Sequence, residues 1–259
     1  MDWSRAKTIL IWAFLFLDMF LGYQVYVSRT QHWMDQEVNA GQASDLKQYL
    51  QQQQIALLTE IPQETREMNY VNVEYLGFDS LSAREMPGQR ITLEKTGLFS
   101  RFIQPIVANQ RNPDDFLREI SQKIMYSSQY RQDTRYLRED TILFWQMFNG
   151  IPIYVAPLEV YVKNGAAIGY RQTYVQIRNQ GAGRQVISAY TALRSLVDKE
   201  IIKSGEKITD VELGYFGHEY DADFQILAPV WRFLHDGKIH YVNGFTGAIE
   251  QPVTDKNRS

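Results

Sequence analysis

Few side chains in this chain stand at spacings that support chemistry. Two tetrapeptides, Ser4-Arg-Ala-Lys7 and Ser44-Asp-Leu-Lys47, match Ser-x-x-Lys, the nucleophile motif of penicillin-interacting enzymes. A Ser-Asp-Asn companion is absent, one match lies in the short N-terminal tail, and so short a pattern often arises by chance. Histidine occurs only at positions 32, 218, 235 and 240, whereas a hydrolytic metal centre needs two or three converging with carboxylates. His235 and His240 flank an Asp236-Gly237 turn and are expected diagonally on one face of a hairpin. His218, Glu219, Asp221 and Asp223 form a run of candidate ligands that also reads as a solvated loop, and solvent-exposed histidines and loop acids are the expectation at both places. Gly181-Ala-Gly183 lacks the rest of a phosphate-binding loop. Paired carboxylates for glycoside cleavage stay open, because their separation is set in three dimensions.

Composition narrows the classes further. With 44% hydrophobic and 22% charged residues in 259, the chain is long enough for one large domain or two small ones. Three of its 27 basic and two of its 30 acidic residues fall in the first thirty positions, leaving a mildly acidic body of 24 against 28. No basic stripe marks a nucleic-acid surface. Cysteine is absent, which removes disulfides, thiolate metal sites and thiol nucleophiles together and suits an exported bacterial domain held by packing alone.

The strongest single feature is the run ILIWAFLFLDMFLGYQVYV over residues 9–27, long enough to cross a hydrocarbon core of ~30 Å at ~1.5 Å per residue. Arg5 and Lys7 precede it, so residues 1–8 are expected in the cytoplasm and everything after Val27 outside. The exit, Gln-Val-Tyr-Val-Ser-Arg-Thr, offers no small-x-small cleavage site, which favours a retained anchor over a signal peptide. Asp18 in mid-span costs about 2.5–3.5 kcal/mol, and eleven Leu, Ile, Phe and Val residues return roughly 3–7 in total. At helical spacing Asp18 shares a stripe with Ile11, Leu15, Gly22 and Val25, where a polar group and a small residue would let another helix approach. A protonated Asp18 facing lipid is the alternative.

After a juxtamembrane connector at 28–43, the pattern predicts an α+β ectodomain over 44–259 made of antiparallel sheets each covered by helices. A helix opens at Ser44 and ends at Ile61-Pro62. Strands follow at 70–78, 90–95 and 98–103, then a helix from Asn112-Pro113 to about 127. Aromatic and β-branched runs at 134–137, 141–148, 153–162 and 168–178, with Asn149-Gly150 and Asn164-Gly165 between them, predict a meander. A second helix at 185–202 and strands at 207–215, 227–235, 238–243 and 248–250 repeat that order, giving two helix-plus-meander units, 44–180 and 181–259.

The residues at both ends carry a family likeness. Met1-Asp-Trp-Ser-Arg-Ala-Lys-Thr-Ile-Leu-Ile with Phe16-Leu-Asp-Met-Phe-Leu, and Pro229-Val-Trp-Arg-Phe with Tyr241-Val-Asn-Gly-Phe-Thr-Gly-Ala-Ile-Glu250, resemble the YycI (WalI) proteins of low-GC Gram-positive bacteria. The resemblance covers the whole layout, the middle by architecture more than by motif. It implies a bitopic accessory regulator of the WalK/WalR (YycG/YycF) two-component system, which governs cell-wall metabolism. Such a protein acts with YycH by contacting the sensor kinase in the membrane, has no catalytic residues and no cofactor, and has an ectodomain related to the C-terminal part of YycH. The competing readings are a wall-associated enzyme or peptidoglycan-binding module tethered by the helix, and an ectodomain that engages a surface protease by strand addition.

Overall fold

In the computed structural model the described residues are 7, 10–22, 45–63, 65–76, 78, 86–107, 118, 120–136, 138–217 and 224–250. The chain divides into two compact units, Met1–Tyr49 and Leu50–Ser259. Residues 10–22 and 45–52 are helical.

The second unit is α+β, rich in strands and poor in helix. Its strands are β1 (Ala56–Leu57), β2 (Glu67–Met68), β3 (Val71–Tyr75), β4 (Gln89–Leu93), β5 (Gly97–Val107), β6 (Tyr130–Gln132), β7 (Thr141–Phe148), β8 (Ile151–Lys163), β9 (Ala166–Thr173) and β10 (Val175–Gln180). They continue with β11 (Arg184–Gln185), β12 (Lys207–Phe216), β13 (Phe224–His235), β14 (Lys238–Asn243) and β15 (Ile249–Glu250). Thirteen of them form one sheet with the central order β10-β3-β13-β12-β8-β9-β5-β4, and β11 pairs with β2 separately. The sheet is mixed: β12 runs parallel to β8 through Tyr215 and Ile153 and parallel to β1, while the remaining pairs are antiparallel. β13 joins two regions, pairing with β3 through 224–227 and with β12 through 228–235.

Three hairpin turns follow directly from dipeptides. Asn149-Gly150, Asn164-Gly165 and Asp236-Gly237 all have both residues at positive φ, the type I′ geometry whose twist matches the flanking strands. Register then sets the faces. In β7, Phe144 packs with Leu98, Leu158 and Tyr170 on one side, while Leu143 and Trp145 join Tyr154, Val230 and Tyr241 on the other. Consecutive residues point to opposite faces, so β7 is covered on both.

Several elements depart from their sequence patterns, each for a local reason. The strand expected at 134–137 is replaced by bends at 134–136, because the Asp133 side chain accepts from the backbone N–H groups of Arg135 and Tyr136, both at 3.1 Å. The single strand expected over 168–178 breaks at Tyr174. There the Gln146 amide takes the place of a strand neighbour, accepting from Val175 N at 2.9 Å and donating to Val175 O at 2.7 Å. The helix predicted to reach 127 is helical at 118 and 120 and gives way to 3-10 turns at Ser121–Lys123 and Ser127–Gln129, with Tyr126 left-handed between them. Residues 112–117 lie outside the described residues. The helix expected over 185–202 is Ala189–Asp198: Ser188 caps it by accepting from Thr191 N, and Glu200, at φ 55°, ends its last turn. Its apolar side, including Leu193 and Leu196, is fully buried, and the helix lies on β13.

Candidate functional site

The predicted partner-binding stripe falls on the N-terminal helix. Ile11, Leu15, Asp18 and Gly22 all lie within the helical stretch 10–22, where steps of four, three and four residues put them on one face. Val25 lies outside the described residues, as do residue 9 and the rest of 23–27. Every described side chain of the stretch is exposed; Ile11 and Phe16, on different sides, are 63% and 64% accessible. Gly22 has no heavy atom within 4 Å of where a Cβ would stand. No helix among the described residues is long and apolar enough to cross a membrane.

In the second unit the buried charges converge where the sequence reading named none. Arg232 on β13 is 1% exposed. Its Nη1 donates to Asp133, its Nη2 donates to Asp210 Oδ2 at 2.6 Å, and Glu212 Oε2 stands 3.7 Å away. Trp145 Nε1 donates to the same Asp133 oxygen at 2.9 Å, and the guanidinium lies 5.1 Å from the Tyr154 ring centre. Arg131 and Arg135 approach from the rim, pairing with Glu212 and Asp210. Burial pushes the Asp133 carboxyl up, but the hydrogen bond and charge of Arg232 and the Trp145 donor outweigh it and hold the group below its ordinary value. A carboxylate so held is no general acid at neutral pH. The cluster ties β12, β13 and the β6–β7 connection together. Its sequence signal was an arginine inside the apolar run Pro229-Val-Trp-Arg-Phe-Leu.

His235 and His240 are diagonal neighbours across the β13–β14 hairpin, as their spacing predicts, with ring centroids 4.9 Å apart at 21°. They are not solvent-exposed as expected. His235 is fully buried, its Nδ1 2.9 Å from Glu206 Oε2, and buried ring nitrogens remain on both, His235 Nε2 and His240 Nδ1, without a hydrogen-bond partner. Burial lowers both imidazoles; for His235 the carboxylate of Glu206 works against it, and for His240 the neighbouring His235 adds to it. Among the described residues no group of three or more His, Asp or Glu side chains could hold a metal ion. His218 and the loop 218–223 lie outside the described residues. Because the unfolded chain titrates near 6.5, the lowered histidines contribute stability that is complete above about pH 6.5 and falls as pH drops through their folded values. The double variant His235→Phe with His240→Phe is therefore expected to flatten the Tm-against-pH curve between about pH 5 and 7, read by thermal denaturation.

Ser4 and Ser44 lie outside the described residues. Lys95-Thr96-Gly97, the other companion triplet of Ser-x-x-Lys enzymes, stands at the turn between β4 and β5. Its glycine has a packing reason, since a Cβ there would meet Gln172 O at 2.2 Å.

An α+β domain built on one mixed sheet, with a buried arginine–aspartate cluster inside it, is the class that the fold and the described residues define. The family model described as YycI protein matches residues 34–245, and the chain belongs to the YycI family. Membership points to a regulatory protein associated with the WalK/WalR two-component system. No curated protein matches the chain. Similar solved structures include an uncharacterized protein from Eubacterium rectale, at 9% identity over 73% of this chain and 86% of that one with a TM-score of 0.48. The C-terminal domain of Bacillus megaterium YpeB is similar at 12% identity over 60% of this chain and 75% of that one, with a TM-score of 0.37.

Proposed function

We propose that the chain is a single-pass membrane protein, N-terminus in the cytoplasm and C-terminal domain outside, that modulates a WalK-type sensor histidine kinase together with a YycH-like protein. The reading is non-enzymatic: helix contacts bias a kinase equilibrium, and the ectodomain tunes those contacts. One observation carries it beyond family membership. The helix at 10–22 exposes apolar side chains on every side and buries no face of its own, as suits a segment solvated by lipid or by other helices. On that background Asp18 and Gly22 supply a polar group and a close-approach point on one stripe with Ile11 and Leu15, and intramembrane acids find partners.

A coupling of about 1–3 kcal/mol between the helix and the kinase would change signalling about 5- to 150-fold. Replacing residues 9–27 with an unrelated apolar span is expected to abolish regulation while keeping the ectodomain at the membrane, and Asp18→Leu to reduce crosslinking to the kinase in intact membranes. A tethered enzyme or wall-binding module would keep its function under both changes, so full activity with the foreign span would refute the helix-contact reading.

A further inference from the structure

Opposite the buried side of the β5-β9-β8 region lies a cleft of about 560 Å³, with Phe99, Tyr161 and Ile168 as apolar walls, Arg101 and Lys163 at its rim and Gly169 in its floor. Its volume falls in the range of small-molecule sites, about 300–1,000 Å³. Nothing in the helix-contact reading uses it.

Cross-strand register fixes how these groups stand. Arg90 pairs with Arg101, Arg101 with Gly169, and Gly169 with Tyr161, so the four form one row across β4, β5, β9 and β8. Directly opposed residues point to the same face. Gly169 leaves a gap between a cation and an aromatic ring, and the gap stays open because a Cβ there would lie 2.3 Å from Ser100 O. Phe99, two residues from Arg101, borders it with its ring 6.0 Å from Tyr161 at 49°.

The charges on this face are unevenly matched. Arg171 forms a two-pronged pair with Glu94 at 2.8 Å, and Arg138 pairs with Glu159 at 3.7 Å. Arg90, Arg101 and Lys163 have no ion-pair partner among the described residues. Arg90 faces Arg101 directly, an arrangement of like charges that disfavours the free state and that a bound anion would relieve. Asp140 is the one carboxylate lining the cleft, and its Oδ1 already accepts from Thr141 Oγ1 at 3.2 Å. Guanidinium pairs match phosphate oxygens, and apolar walls beside them match a chain.

We propose that this cleft binds an anionic amphiphile of the alkyl-phosphate class, its phosphate held by Arg101 and Lys163, with Arg90 adding positive charge from beside Arg101, and its apolar part laid over Phe99, Tyr161 and Ile168. The phosphate can belong to a soluble molecule or, on the membrane-protein reading proposed above, to a lipid headgroup, and the test separates these sources. Full-length protein in phosphatidylcholine nanodiscs is titrated with hexyl phosphate, hexanol and inorganic phosphate by calorimetry. Hexyl phosphate is expected to bind at least about tenfold more tightly than either half-molecule, and R101E with K163E to weaken it by about tenfold or more. Tyr161→Ala is expected to weaken hexyl phosphate while leaving inorganic phosphate unchanged. Equal Tm values confirm that each variant is folded. Nanodiscs containing phosphatidylglycerol distinguish the sources: competition with hexyl phosphate assigns the site to lipid headgroups, and unchanged titration assigns it to a soluble ligand. Equal affinity of wild type and R101E/K163E, or of hexyl and inorganic phosphate, would overturn the proposal.

Discussion

Arg232→Ala is expected to lower the unfolding free energy by about 3–5 kcal/mol, because it leaves Asp133 and Asp210 buried without their cation. The guanidinium is 1% exposed, so water cannot replace it without opening the core between β12, β13 and the β6–β7 connection. Urea denaturation of wild type and variant measures the loss. The pH dependence supplies an independent check with a definite sign. Asp133 titrates below its ordinary value in the folded state, so its contribution is complete above the unfolded value near 3.9 and disappears as pH falls through the folded one. In Arg232→Ala that acid limb should shrink or reverse. Arg232→Met with Asp133→Leu, which removes a cation and an anion together, should recover much of the loss; a double variant as unstable as the single one would show that the pair does not act as a unit.

Trp231→Ala is expected to cost about 3–5 kcal/mol by a different route, the cavity left by an indole that is 1% exposed. It also removes the Nε1 donor that reaches Ile187 O at 2.9 Å, just before the helix Ala189–Asp198. Trp231→Phe should keep most of the packing and lose only the hydrogen bond, about 0.5–1.5 kcal/mol. Hydrogen exchange should locate the damage at that helix, away from the Arg232 cluster, because neighbouring residues of a strand face opposite ways.

These two adjacent residues show what a strand pattern conceals. Alternation predicts one buried and one exposed face, and a Trp-Arg pair inside an apolar run fits that reading with the arginine in solvent. β13 instead has Val230 through His235 all buried, because the helix covers one face and the aromatic cluster of Tyr154, Phe216 and Tyr241 covers the other. The buried charge is stable only because Asp133 and Asp210 arrive from positions 99 and 22 residues away. The same holds for the histidines: their diagonal placement was written in the hairpin, but their burial was not. Gln146 replacing a strand neighbour at Val175 is a further case, since a polar residue mid-strand carries no sign of which backbone it will meet.

What the sequence determined by itself was local or periodic. Three Asn-Gly or Asp-Gly dipeptides placed the hairpins, strand alternation placed most strands within a few residues, and an apolar run placed the N-terminal helix on which Ile11, Leu15, Asp18 and Gly22 share a stripe, whereas the helix expected from Ser44 to Ile61 is helical only over 45–52 and gives way to β1. Tertiary structure decided which charges are buried together, that β12 lies parallel to β8 and so joins the two meanders in one mixed sheet, and that Arg90, Arg101, Gly169 and Tyr161 form a single row. The division has a physical cause. Turn geometry and helix capping are fixed by neighbouring residues, whereas pairing partners and charge burial depend on contacts between distant segments, whose free energies exist only once the sheet has closed over its core.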